Sequence, residues 1–208
     1  MDVSNPLRTI APTVDADVLR ALAGSHRPLS GAMVARVSGR SYARTRACLH
    51  RLVVHGLVTA EDAGSAVQYR LNRDHVLAGL VLAVVNAAGV VEEWLVEQLR
   101  RWSPQPAAVV LFGSWGRGEA GPASDVDLLL VRDDAVGVDD GGWGEQVHHL
   151  GEALEVMTGN PVQFVELSRS QLSEAVEEGQ PLIAGLRVDG RGLVGPGIRE
   201  LLGIGAPA

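Results

Sequence analysis

The sequence predicts an α+β chain of two domains. The N-terminal third is helix-periodic and ends in two short alternating runs, a proline-bounded break falls near residue 103, and the C-terminal half alternates apolar strand-like runs with amphipathic helices. Charge divides along the same line. Residues 1–75 carry a net +4 and residues 76–208 a net −11, which together make the −7 of the 208-residue chain. There is no lysine, so every basic side chain is an arginine. A basic N-terminal part on an acidic chain points to a polyanion as the partner of that part alone.

Composition excludes some classes. A single cysteine, Cys48, leaves no internal disulfide. The chain does not start with a basic-then-apolar signal pattern. The longest charge-free run, residues 76–91, is broken by Asn86 and two glycines and is shorter than a bilayer-spanning segment. The expectation is a cytoplasmic protein with no membrane segment.

Taken in order, residues 1–12 lack periodicity and hold two prolines, which reads as a flexible arm. Residues 14–23 place Val14, Val18, Leu19 and Leu22 at helical spacing and stop at Gly24. Residues 29–37 read as a second helix capped by Ser30, with Gly39 as its stop. A third helix starts at Ser41, turns Thr45, Leu49, Leu52 and Val53 to the core and runs to His55. Residues 57–59 and 67–71 are strand-like, joined by a turn over residues 61–65. Residues 74–102 form one long or broken connecting helix, apolar nearly all round in its first half. Such a helix is expected to be buried, between the domains or in a dimer interface. Pro104 and Pro106 end it.

In the second domain, residues 103–208, an apolar run from Val109 to Phe112 enters a Gly-Ser turn and a Gly-rich loop, and a second apolar run carries Asp125 and Asp127. An acidic, Gly-rich surface loop follows, then a helix over residues 143–158 and a third strand over residues 161–167. Ser168 caps a helix to Glu178, Pro181 opens a short one, and residues 191–194 make a last strand before a closing helix. His148 and His149 are adjacent and face different directions on their helix, so they do not form a shared metal site.

Three helices and a hairpin over residues 13–73, with Leu49, Leu52, Gly56, Leu57 and Val58 at the end of the third helix, resemble the winged helix-turn-helix of bacterial transcription regulators. The resemblance implies that the third helix enters the DNA major groove while the hairpin touches the flanking backbone. Candidate DNA-binding residues are Ser41, Tyr42, Arg44, Arg46, His50 and Arg51, with Arg70 beside the wing. The alternative is a protein-binding module whose arginines only solubilise the helix. Cys48 reads as a packed thiol.

Side chains alternate along a strand, so Asp125 and Asp127 share a face, and two convergent carboxylates suit a hard cation such as Mg²⁺. Gly113, Gly116 and Gly118 let backbone N–H groups approach an anion. The pattern Gly113, Ser114, Arg117, Gly118, Ser124, Asp125 and Asp127 resembles the signature of the nucleotidyltransferase superfamily related to DNA polymerase beta, in its minimal bacterial branch, over about residues 91–203. The resemblance implies a mixed sheet with flanking helices, Mg²⁺ on Asp125 and Asp127, and an NTP triphosphate on Gly113 and Ser114 with Arg117, Gly118 and Ser124 near it. Ser124 either touches phosphate or stabilises the turn. Trp115 either stacks on a base or packs over the loop.

One family position is broken. The third carboxylate of the pattern falls on Gln163, which coordinates weakly and cannot act as a base. Glu166 lies three residues along and faces the other way. The resulting expectation is a DNA-binding transcriptional regulator, a homodimer on two half-sites, whose second domain binds Mg-NTP with weakened catalysis. Two alternatives stay open: an active enzyme moving NMP from NTP to a small-molecule or protein hydroxyl, and an antitoxin-like protein partner of a toxin.

Overall fold

The computed structural model describes residues 1–64 and 66–203; Ser65, part of the expected hairpin turn, lies outside the described residues. The chain forms two compact units, one of Asp2 and residues 4–87, the other of Met1, Val3 and residues from 88 onward.

The first unit contains α1 (Leu7–Ile10), α2 (Val14–Ala23), β1 (Leu29–Ser30), α3 (Gly31–Ser38), α4 (Tyr42–Val54), β2 (Val58–Ala63), β3 (Ala66–Leu71) and α5 (Ala78–Val85). The apolar positions that set the helical period, among them Val18, Leu22, Val34, Leu49 and Leu52, meet in one core. Strand order is β1-β3-β2, all antiparallel. Val58 and Leu71, paired at the base of the hairpin, are buried, and the rest of β2 is exposed, as a wing requires. Ser30 caps α3 by accepting from Met33 N at 3.2 Å, but Leu29 and Ser30 pair with β3 instead of forming a helical turn.

The N-terminal stretch expected as a flexible arm holds α1 and is tied to α2. Its anchor is Asp17, whose side chain is 2% exposed. Asp17 Oδ1 accepts from Asn5 Nδ2 at 2.9 Å and Arg8 Nε at 2.8 Å, and Oδ2 accepts from Arg40 Nε at 2.5 Å. These partners lie far apart in sequence, so no local period announces them. A buried carboxylate is tolerated because both oxygens receive charged donors.

The expected connecting helix is two helices. Asn86 ends α5, and the second unit takes in α6 (Ala87–Leu99) from Ala88 onward. The first half is not buried all round. Ala78, Val81, Leu82 and Val85 pack on the first unit's core, while Val76, Leu77 and Leu80 are exposed. No single helix among the described residues is long and apolar enough to cross a membrane.

The second unit continues through β4 (Ala108–Phe112), α7 (Gly113–Gly116), β5 (Val126–Arg132), α8 (Gly141–Thr158), β6 (Val162–Ser168), α9 (Arg169–Glu178), α10 (Pro181–Asp189), β7 (Arg191–Val194) and α11 (Ile198–Leu201). Its mixed sheet has the order β6-β5-β4-β7, with β5 and β6 parallel and the other pairs antiparallel. Alternation along the strands divides the packing. Val109, Leu111, Val126, Leu128 and Leu130 join α6 and α8 on one face, and Ala108, Val110, Leu129 and Val131 join α9 and α10 on the other. Asp127 falls in the second set by its position in β5, so the candidate chemistry belongs to the α9/α10 side.

Asp17→Ala is expected to lower the stability of the first unit by about 1–3 kcal/mol, since it leaves Asn5 and two arginines without their acceptor. Glu61→Ala, which removes an exposed ion pair to Arg70, is expected to cost less than about 1 kcal/mol. Urea denaturation of the full chain followed by circular dichroism checks both.

Candidate functional site

The site is built at the turn between β4 and β5. Phe112 and Asp127 are cross-strand partners, and Gly113 then leaves the sheet with φ +67°. A β-carbon at Gly113 would stand 2.2 Å from Asp127 Oδ2, so a side chain there would displace the carboxylate, and the positive φ itself favours glycine. The short α7 follows, closed by Arg117 N on Gly113 O at 3.2 Å and Glu119 N on Ser114 O at 2.9 Å. Arg117 and Gly118 are exposed, and Ser114 is half-buried.

Trp115 is 2% exposed and belongs to the core on the α6/α8 side. Of the two roles open to it, packing is the one the fold gives it. Ser124 stabilises the turn, its Oγ accepting from Gly121 N at 3.0 Å.

Asn160 fixes this loop. Its side chain is fully buried, and Nδ2 donates to Gly121 O at 3.0 Å and to Ser124 O at 2.8 Å. In the sequence, Gly159 and Asn160 signal only the end of α8. The clamp across some forty residues has no local signature.

Asp125 stands one residue before β5 and Asp127 is its second residue. Burial, and after it the charges of Asp125 and Asp189, hold the Asp127 carboxyl above its ordinary value of 3.8, against the lowering pull of Arg117. The parallel register pairs Asp127 with Gln163, which is exposed. Glu166 pairs with Leu130 on the opposite face and accepts from Trp143 Nε1 at 2.6 Å. No bulge returns Glu166 to the site.

Asp189, the last residue of α10, is the acidic side chain that sequence reasoning missed. It is only 8% exposed, and its Oδ2 accepts from Arg117 Nη1, which forms an ion pair with it; Arg117 Nε donates to Glu119 at 2.9 Å. Asp189 Oδ1 is buried with no hydrogen-bond partner.

Carboxylate oxygens of Asp125 and Asp127, with an unsatisfied oxygen on Asp189, have the donor chemistry of a hard divalent cation. Among the described residues no three histidine, cysteine, aspartate or glutamate side chains are gathered closely enough to hold a metal ion as they stand. His148 and His149 each lie near Glu152 on the exposed side of α8.

In the first unit, Ser41, Tyr42, Arg44, Arg46, His50, Arg51 and Arg70 are all exposed, and Thr45, Cys48, Leu49 and Leu52 form the buried side of α4. Arg51 is paired with Asp15, and Arg70 with Glu61 at 3.3 Å. Among the described residues no ion pair holds Arg44 or Arg46. Cys48 Sγ donates to Asp15 Oδ1 at 3.0 Å, and burial pushes its pKa up to about 11. The thiol is therefore protonated and packed.

Comparison with known proteins agrees with this division. Residues 16–62 match the IclR helix-turn-helix domain, and residues 92–183 match the nucleotidyltransferase domain. No curated protein sequence matches the chain significantly. Similar solved structures include a mutant of the toxin–antitoxin MntA-HpeT, 22% identical over 50% of this chain and 73% of that one, with a TM-score of 0.34. A toxin–antitoxin structure with AMP-PNP is 23% identical over 50% and 73%, with a TM-score of 0.34. TrmBL2, an archaeal chromatin protein, is 17% identical over 83% and 71%, with a TM-score of 0.28. The chain joins a helix-turn-helix domain to a nucleotidyltransferase domain.

The raised Asp127 pKa gives a pH signature. Its charged form is disfavoured in the fold, so its contribution to stability is fully present below the unfolded value and lost as pH rises through the folded one. Asp127→Asn is expected to raise the melting temperature at pH 7, and the gain is expected to vanish below the ordinary value of 3.8. Thermal melts of both proteins across pH 3–8 check the sign.

Proposed function

We propose that this chain is a DNA-binding regulator whose nucleotidyltransferase domain binds Mg-NTP and has weakened transferase activity. The observation that carries the reading is the register of β5 and β6. It sets Gln163, a neutral amide, directly beside Asp127, while the one nearby acid of β6, Glu166, is committed to Trp143 on the other face. β6 therefore brings no carboxylate to accept the proton of an attacking hydroxyl.

Asp125 and Asp127 would hold the ion. A bound Mg²⁺ neutralises phosphate charge and orients the transferring group. Gly113 and Ser114 would lie along the triphosphate, with Arg117 contributing a charged contact once released from Asp189. Ser124 and Gly118 shape the loop. In the first unit, α4 would present Arg44 and Arg46 to DNA with the wing on the flanking backbone. The enzyme reading keeps support from the intact Asp125/Asp127 pair, because phosphoryl-type transfer depends mainly on positioning and electrostatics.

A nonhydrolysable NTP is expected to bind in a Mg²⁺-dependent manner that Asp127→Ala abolishes, measured by titration calorimetry. Transfer from labelled ATP, GTP, CTP and UTP is expected to be weak and to rise at least ~10-fold in Gln163→Asp, which restores a base. Robust transfer by the natural sequence, lost in Asp127→Ala, overturns the weakened reading in favour of the enzyme.

The DNA arm is separable. With fragments from around its own gene, the Arg44→Ala/Arg46→Ala double variant is expected to bind at least ~10-fold more weakly and with a shallower salt dependence. Arg51→Ala, whose guanidinium is already held by Asp15, is expected to lose less than about 3-fold. Fluorescence anisotropy at several salt concentrations reads both, and a folded chain that binds no DNA at low salt overturns the regulator.

A further inference from the structure

The corner between β4 and β5 holds more negative charge than its neighbours neutralise. Asp125 and Asp189 both act on Asp127 by charge, and the cation recorded against them is Arg117, which Glu119 shares. Asp189 comes from α10, the helix that packs through Ile183 and Leu186 on the same sheet face as Leu129 and Val131. By its place in β5, Asp127 is on that face too.

Two glycines of the signature admit two acids. Gly113 gives way to Asp127, and at Gly116 a β-carbon would stand 2.3 Å from the Asp189 backbone oxygen. The loop therefore has to carry glycine at Gly116 for α10 to end here. Asp189 meets Arg117 through one oxygen: Oδ2 accepts from Arg117 Nη1, Arg117 Nε is taken by Glu119, and Asp189 Oδ1 is buried with no hydrogen-bond partner. A buried anionic oxygen without a donor is unfavourable, and a cation supplies what it lacks.

We propose that Asp189 is the third carboxylate of the divalent-cation site formed with Asp125 and Asp127, in place of the acid absent at Gln163. Arg117 occupies Asp189 until the cation and the nucleotide arrive, and then turns to the phosphates. Among the described residues no three such side chains are gathered to hold a metal ion as they stand, so the site requires Asp189 to close on the cation with Asp125 and Asp127 as Arg117 leaves. The inference rests on the Mg-nucleotide reading of the Asp125/Asp127 corner.

Mn²⁺ alone, titrated into the full chain and read by loss of its free electron paramagnetic resonance signal, tests the site without nucleotide or turnover. Asp127→Asn and Asp189→Asn are each expected to weaken binding ~10-fold, because each removes a charged ligand. Arg117→Ala is expected to tighten it ~3-fold by removing a competing positive charge. Wild-type Mn²⁺ affinity in Asp189→Asn, with loss in Asp127→Asn, overturns the role of Asp189 and leaves the Mg-nucleotide reading standing. Unchanged affinity in both variants overturns the two together. If Asp189→Asn does not fold by circular dichroism, Arg117→Ala decides: unchanged or weaker Mn²⁺ binding overturns the proposal.

Discussion

The second unit depends on how closely the backbone at Gly113 passes the Asp127 carboxylate. Phe112 and Asp127 are paired across β4 and β5, and the residue after Phe112 turns out of the sheet in the left-handed region, where a side chain would displace the Asp127 carboxylate. Everything at the corner follows from that passage. α7 can begin at once, Trp115 is swung into the core on the α6/α8 side, and Gly116 lies against the end of α10. A larger residue at Gly113 would move the carboxylate or the turn, and the site would lose one or the other.

Strand register selects which acids take part. Because side chains alternate, a parallel pairing of Asp127 with Gln163 sends Glu166 to the opposite face, where the Trp143 indole satisfies it. The same alternation gives the sheet two different covers, and only the α9/α10 cover ends in a carboxylate near Asp127. Asn160 completes the frame from behind, holding the carbonyls of Gly121 and Ser124 so that Asp125 enters β5 from a fixed loop. A fully buried amide spent on two carbonyls is an exchange of hydrogen bonds that the loop cannot make for itself.

Charge in the first unit is distributed by structure, not by composition. Its arginine count suggests a broad basic face, yet Arg8 and Arg40 are drawn to Asp17, Arg51 to Asp15 and Arg70 to Glu61. On α4, Arg44 and Arg46 are outside any ion pair among the described residues and are exposed on the side away from Thr45, Cys48, Leu49 and Leu52. Of these ion pairs, those of Asp17 with Arg8 and Arg40 also fasten the N-terminal stretch to the helical core.

The sequence by itself determined the two-domain α+β plan, the helices and strands with strong period, the Ser30 and Ser168 caps, and the placement of Gly113 at the turn and of Asp125 and Asp127 at the start of β5. Those features are local: a period, a cap or a two-residue alternation is written in neighbouring positions. Gln163 was also legible, because a motif position can be counted along a strand. Only the tertiary structure decided that residues 5–10 are anchored, that α5 is covered on one side, that Asn160 clamps the loop and that Asp189 pairs with Arg117 of that loop. Each of these joins residues far apart in sequence, and such contacts come from packing, which leaves no periodic mark.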